Sequence, residues 1–173
     1  PTHRDLLLRL NLASRELYTQ YGQELGFEVV RKGLLALCET EHGLVEEREG
    51  AELARKIGLR APELSPEEIA RLDPGVKRQV IGAIHHEDDA HFSTDAVIQA
   101  LTRELGQLGV KRETRAATAA DLQGEWVVLA AGWESASLAP FALPLLAGKG
   151  YSFTLPEPPE LPEVCALLME ARV

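Results

Sequence analysis

The densest group of reactive side chains is the run His85-His86-Glu87-Asp88-Asp89-Ala90-His91. Imidazoles and carboxylates are ligands for zinc, iron or manganese. A strand-to-loop run does not aim adjacent side chains at one point, however, and the informative spacings, His-x-x-x-His on a helix or Cys-x-x-Cys, are absent from it. It reads as a polar loop before a helix capped by Ser93 or Thr94, with Asp95 favouring the helix dipole, and no metal site is expected. Gly148-Lys149-Gly150 invites a phosphate-loop reading and fails it. A Walker loop needs a glycine where Leu143 stands and a Ser or Thr where Gly150 stands, and a Gly-x-Gly-x-x-Gly pattern breaks at Phe153. Cys38 and Cys165 lie in apolar runs, which suits small core residues better than nucleophiles. Spacing distinguishes no Ser-His-Asp set. Tyr18, Tyr21 and Tyr151 read as packing residues, although Tyr151, just after Gly150, could face a cavity.

The stretch with the strongest strand character is Trp126–Trp133, Trp-Val-Val-Leu-Ala-Ala-Gly-Trp. An uncharged Val/Leu/Ala run suits a strand covered on both faces, in a sheet flanked by helices. Gly132 then allows a sharp turn or a close approach of another group. Such an end can present backbone to a ligand, or simply close a core strand, and on these residues alone the structural reading comes first.

Around it, residues 3–25 place Leu6, Leu10, Ala13, Leu17 and Tyr21 on one stripe, which predicts an amphipathic helix packed on a core. Phe27–Thr40 holds two short strand candidates divided by Arg31-Lys32-Gly33, as in a hairpin or meander. Residues 44–57 return to a helical pattern. Ser65-Pro66-Glu67-Glu68 combines a cap, a first-turn proline and a capping-box glutamate, and Asp73-Pro74-Gly75 ends the helix it starts. Val80–Ile84 reads as a strand, 94–108 as the most regular helix and Val110–Thr114 as a short strand. Ser135–Ala142 reads as a short helix closed by Pro144, Gly150–Leu155 as a strand, Pro156–Pro162 as an extended connection, and Val164–Val173 as a strand. The result is an α+β chain, an antiparallel or mixed sheet flanked by helices, in a single domain over 1–173.

The chain has 173 residues, 45% apolar and 26% charged, with 18 Lys plus Arg against 27 Asp plus Glu. A formal charge of −9 argues against a nucleic-acid or anionic-membrane surface. No apolar run approaches the roughly 20 residues of a membrane span, nothing at the start resembles a signal peptide, and two cysteines fit a reducing compartment. The expected location is cytoplasmic.

Several pieces in order resemble one family. Gly33-Leu34-Leu35-Ala36-Leu37 is similar to its Gly-x-Leu strand, and Leu64-Ser65-Pro66-Glu67-Glu68 with Asp73-Pro74 to its Leu-Ser-x-x-Glu helix. His86–Phe92, with the helix ending Leu108-Gly109-Val110, stands where it has an Asp-containing loop, a helix and a Gly-Val turn. Trp126–Gly132 resembles the strand before its Ala-Ala-Gly, and Leu143–Ser152 its Leu-Pro-…-Lys-Gly-Tyr-Ser segment. The family is that of FAD-dependent amino-acid oxidoreductases of the D-amino-acid oxidase superfamily, nearest to D-amino-acid dehydrogenases. The resemblance implies a substrate-binding half that roofs a flavin. Ala130, Ala131, Gly132 and Trp133 would approach FAD, Lys149, Gly150 and Tyr151 would lie on the substrate side, and residues 125–133 would join the FAD-binding domain. Such enzymes pass a hydride from the amino acid's α-carbon to flavin, which carries the chemistry while the protein orients the substrate.

The departures are as informative. The family's opening Gly-x-Gly-x-x-Gly unit has no counterpart here, Arg172 does not match its substrate-binding arginine, Trp133 directly follows Gly132, and the segment from Val110 to Trp126 is short. The expectation is therefore a substrate-domain fragment, inactive alone and without retained FAD. Its parent would be cytoplasmic or peripheral to the inner membrane, its substrate a small amino acid or amine, and self-association could occur through surface that the FAD domain covers. The alternative is a stand-alone binding or interaction domain that keeps the fold without redox chemistry.

Overall fold

The computed structural model describes residues 3–74, 79–152 and 162–171. Against the single domain expected over 1–173, it divides into two compact units, Pro1–Val110 with Pro156–Val173, and Lys111–Leu155.

The first unit holds nearly all the regular structure. Helix α1 (His3–Leu25) is followed by strands β1 (Val29–Val30) and β2 (Leu34–Cys38), helix α2 (Glu41–Lys56), strand β3 (Glu63–Leu64) and helix α3 (Pro66–Leu72). Strands β4 (Gly82–His86) and β5 (His91–Phe92) and helix α4 (Thr94–Gln107) come next. The starts of α3 and α4 are those read from local chemistry, whereas α2 begins at Glu41, three residues before the expected 44. Thr40 caps α2 by accepting from the Gly43 amide, Ser65 and Glu68 form a reciprocal capping box on α3, and Ser93 caps α4.

Sheet pairing departs from the expected hairpin. β1 and β2 are neighbours in sequence but pair with different partners, β1 antiparallel to β5 and β2 antiparallel to β4. A last strand, β6 (Cys165–Leu168), runs parallel to β2, and the main sheet has the order β3-β4-β2-β6. The sheet is thus mixed, and its strands alternate side chains between two cores. Leu35, Leu37, Ala83 and Val164 meet Ile69 of α3 on one face. Ala36 and Ile84 meet Ala51 of α2 and Ala61 on the other. β2, buried on both faces, is the helix-flanked strand that the composition called for, found at 34–38 rather than at 126–132. Cys38 is fully buried, as a small core residue should be.

A third cluster joins α1 and α4 to the small sheet through Phe27, Val97 and Ala100, with Tyr18 stacked on Phe92 at 4.5 Å. The stripe on α1 is only partly used by it. Leu6, Leu10, Leu17 and Tyr21 are 42–56% exposed, so that the helix forms as predicted but does not bury its apolar face.

The second unit is poor in regular structure. It contains two 3-10 turns (Ala119–Asp121 and Gly132–Glu134) and a one-turn helix, α5 (Ser135–Leu138). α5 stops two residues before Pro140, short of the expected end at Ala142. Neither 110–114 nor 126–132 forms a strand, and Trp126 and Val128 are 89% and 91% exposed. The expectation of a buried strand at Trp126–Trp133 is corrected on a simple ground. An extended apolar segment becomes a strand only when a neighbour takes up its N–H and C=O groups and a layer covers its side chains. Among the described residues this unit supplies neither. The strand expected at Gly150–Leu155 is likewise not formed at Tyr151-Ser152, and residues 153–161, which include most of the proline-rich connection, lie outside the described residues.

Candidate functional site

The residues that the resemblance assigns to cofactor and substrate all fall in the second unit. Ala130 and Ala131 lead into the turn Gly132–Glu134, where the Ala131 amide donates to Ser135 Oγ at 3.1 Å and Gly132 has φ +58°. Trp133 is 60% exposed. Lys149, Gly150 and Tyr151 are exposed, with Lys149 Nζ 5.2 Å above the centre of the Tyr151 ring. No hydrogen bond or ring contact joins the two groups among the described residues. A Cβ built on Gly132 would meet nothing within 4 Å, so the backbone at this turn is open. These residues do not by themselves fit a flavin.

The chemistry-bearing side chains that are brought together lie in the first unit, around the turn between β4 and β5. Asp88 accepts the Arg60 amide at 2.7 Å and the Arg60 guanidinium at 3.1 and 3.4 Å. The amide bond first, then the guanidinium, holds the Asp88 carboxyl below the ordinary carboxylate range, and the same pair raises Arg60. Arg60 also reaches Glu87 at 2.9 Å. Arg15, from α1, donates to the Asp88 carbonyl at 2.6 Å and to Glu16 at 3.3 Å, tying the helix to the turn. Next to them a cleft of about 450 Å³ opens between α1 and the turn, walled by Leu12, Tyr18, Val29, Leu59 and Phe92. That is the size of many small-ligand pockets.

This arrangement accounts for the His85–His91 run. His85 and His86 end β4, and His85 Nε2 lies 3.0 Å from the Lys32 carbonyl. Glu87 and Asp88 are both engaged by Arg60, while His85 turns to the Lys32 carbonyl and His91 sits on β5. Among the described residues no group of three His, Cys, Asp or Glu could hold a metal ion. The Arg15–Asp88–Arg60 junction was invisible in the sequence, because its members are separated by 73 and 28 residues and follow no motif.

The family model described as "DAO: FAD dependent oxidoreductase" matches residues 1–171. The chain belongs to this family. The family is FAD-dependent. Glycine oxidase from Geobacillus kaustophilus is similar at 27% identity and a TM-score of 0.55, over 60% of this chain and 30% of the oxidase. Glycine oxidase from Bacillus cereus ATCC 14579 (18% identity, TM-score 0.52) matches 58% of this chain and 29% of its own. L-proline dehydrogenase from P. horikoshii (23%, 0.50) matches 56% and 26%. The last two show the fold alone. The chain thus spans about a third or less of the length of these solved relatives. None of the curated proteins matches it. Among the described residues no helix is long and apolar enough to cross a membrane.

Proposed function

We propose that the chain is the substrate-side portion of a FAD-dependent oxidoreductase acting on D-amino acids or related small amines, and that its dinucleotide-binding unit lies outside these 173 residues. The observation that carries the reading is the family match over 1–171 in a chain that has no Gly-x-Gly-x-x-Gly unit. The glycine oxidase neighbour at 27% identity supports an amine or amino-acid substrate. In this reading the first unit is the substrate-side sheet, flanked by α2 and α3. Residues 125–133 would become a strand only beside neighbouring strands of the longer protein, and Ala130, Ala131, Gly132 and Trp133 would meet the flavin only then. Lys149, Gly150 and Tyr151 then lead back towards the substrate side. The exposure of Trp126 and Val128 is what a sheet strand without neighbours would show. Two free cysteines, one fully buried, support a reducing compartment such as the cytoplasm.

Two measurements test this. Purified 1–173 mixed with FAD should leave the flavin free in equilibrium dialysis, and stoichiometric yellow protein would overturn the inactive-fragment reading. The gene upstream of Pro1 should encode a Gly-x-Gly-x-x-Gly strand. The joined polypeptide should lose its oxidised flavin absorbance when given glycine, sarcosine, proline or D-alanine without oxygen. If upstream coding sequence carries no such unit, the stand-alone binding domain is the correct reading instead. If the joined flavoprotein forms but none of these amines reduces it, the substrate class is wrong.

A further inference from the structure

The cleft between α1 and the turn after β4 holds one charge that its surroundings do not balance. Three charged residues line it, Arg15, Asp88 and Asp89. Arg15 is fully engaged: Nη1 donates to the Asp88 carbonyl at 2.6 Å, while Nε and Nη2 both lie 3.3 Å from Glu16 Oε1. The Asp88 carboxylate accepts the Arg60 amide and guanidinium, and Arg60 also holds Glu87. Asp89 differs from them. Its amide donates to the His86 carbonyl at 3.2 Å, but its carboxylate has no hydrogen bond or ion pair among the described residues.

The rest of the lining is of two kinds. Asn11 and Ser14, neighbours on one side of α1, bring polar side chains that are likewise without partners among the described residues. Leu8, Leu12 and Leu59 are apolar and half-buried, and Tyr18 lies against Phe92 with the rings tilted by 31°. A cleft of about 450 Å³ with this lining suits few ligands. An anion meets no unengaged cation and is repelled by Asp89. An uncharged apolar molecule takes the walls but gains nothing from the carboxylate. A metal ion finds a single unpaired carboxylate, and among the described residues no group of three His, Cys, Asp or Glu could hold one. An organic ammonium ion uses both halves, its N–H groups on the polar atoms and its carbon body on the walls. The formal charge of −9 also draws cations to the surface.

We propose that this cleft is a binding site for a small organic ammonium ion with an aryl or branched alkyl body. Asp89 receives the charge, Asn11 and Ser14 accept the remaining N–H groups, and the leucine and aromatic walls cover the body. None of residues 130–133 or 149–151 lines the cleft, and the site needs no flavin, so it stands whether or not the flavoenzyme reading does. Asp89 is exposed, so its ion pair is a screened one, and a ligand of about eight heavy atoms belongs in the millimolar range.

Titration of the isotope-labelled 173-residue chain with benzylamine, followed by amide NMR shifts at neutral pH where the amine is a cation, tests this. The expected result is saturable binding with shifts centred on Leu8, Asn11, Asp89 and Ala90. Benzyl alcohol and benzoate, which keep the ring without the positive charge, should bind at least about fivefold more weakly. Asp89→Asn keeps the amide bond to His86 and should weaken benzylamine by about fivefold while leaving benzyl alcohol unchanged. Glu49→Gln removes an exposed carboxylate of α2 outside the cleft and should change neither. Three results overturn the proposal. They are shifts that do not saturate or that centre on the exposed Trp126 and Val128, equal binding of amine and alcohol, and an Asp89→Asn variant with unaltered affinity.

Discussion

Gly33, at the corner between β1 and β2, is where the fold tolerates a side chain least. Its φ is +81°, and a Cβ there would lie 2.6 Å from His85 Nε2, 2.7 Å from the His86 carbonyl oxygen and 3.0 Å from Glu87 Cα. Two of the three obstacles are backbone, and His86 is held opposite Leu34 in the β2–β4 ladder, so it cannot retreat without opening the sheet. Alanine in the left-handed region costs about 1 to 2 kcal/mol, and overlap with atoms that cannot yield adds about 1 to 3 kcal/mol. Gly33→Ala should therefore destabilise the first unit by about 3 kcal/mol in total. Gly58 provides the control. It has φ +88° with nothing within 4 Å of its Cβ position, so Gly58→Ala meets only the backbone term of about 1 kcal/mol. The smaller unfolded-state entropy of alanine acts equally in both variants and cancels. Urea unfolding followed by far-UV circular dichroism measures the difference, because both tryptophans, Trp126 and Trp133, report the second unit. Two variants equal within about 0.5 kcal/mol would refute the argument that contact, and not backbone conformation alone, fixes glycine at 33.

Leu37→Ala should cost about 3 kcal/mol in the same assay, since Leu37 is 2% exposed and closes the cluster around Ile69 and Val164. Ser65→Ala removes one half of the α3 capping box and should cost about 1 kcal/mol. Glu170 accepts from the amides of Glu39 and Thr40 and from the Thr40 hydroxyl, and those bonds, the Glu39 amide first, lower its carboxyl pKa. A lowered folded-state pKa stabilises fully above the ordinary value of 4.5 and is lost as pH falls through the depressed one. Hydrogen exchange at Cys165–Leu168, compared with an internal reference strand such as β4, should thus accelerate on acidification below that value. Glu170→Gln should remove this dependence.

What the sequence made legible was what local chemistry decides. Ser65 and Ser93 cap their helices because a hydroxyl needs only an amide two or three residues on. Pairing was not local. β1 finds β5, more than sixty residues later, and nothing at Val29-Val30 says so. The stretch 126–132 misled for the converse reason, since Val and Leu fit a pleated, covered surface without supplying it. The mixed sheet and its flanking helices were foreseeable from alternation and capping. The identity of the buried strand was not, because Leu34–Cys38 and Trp126–Ala131 are equally apolar and only the presence of neighbours separates them. The Arg15–Asp88–Arg60 junction left no trace, since charged residues at such separations look like ordinary surface.

The parallel pairing of β6 with β2 sets an order of assembly. The Glu170 carboxylate that locks this pairing is 131 residues from the Glu39 amide it accepts, and every residue of the second unit is synthesised between them. Until β6 arrives, β2 has paired on one side only and offers a bare row of unpaired N–H and C=O groups on the other. A strand that waits so long for its neighbour folds slowly and is open to strands from other copies in the meantime. The nascent protein should therefore be a chaperone client, and cuts or insertions in the second unit should be felt as lost yield of the first.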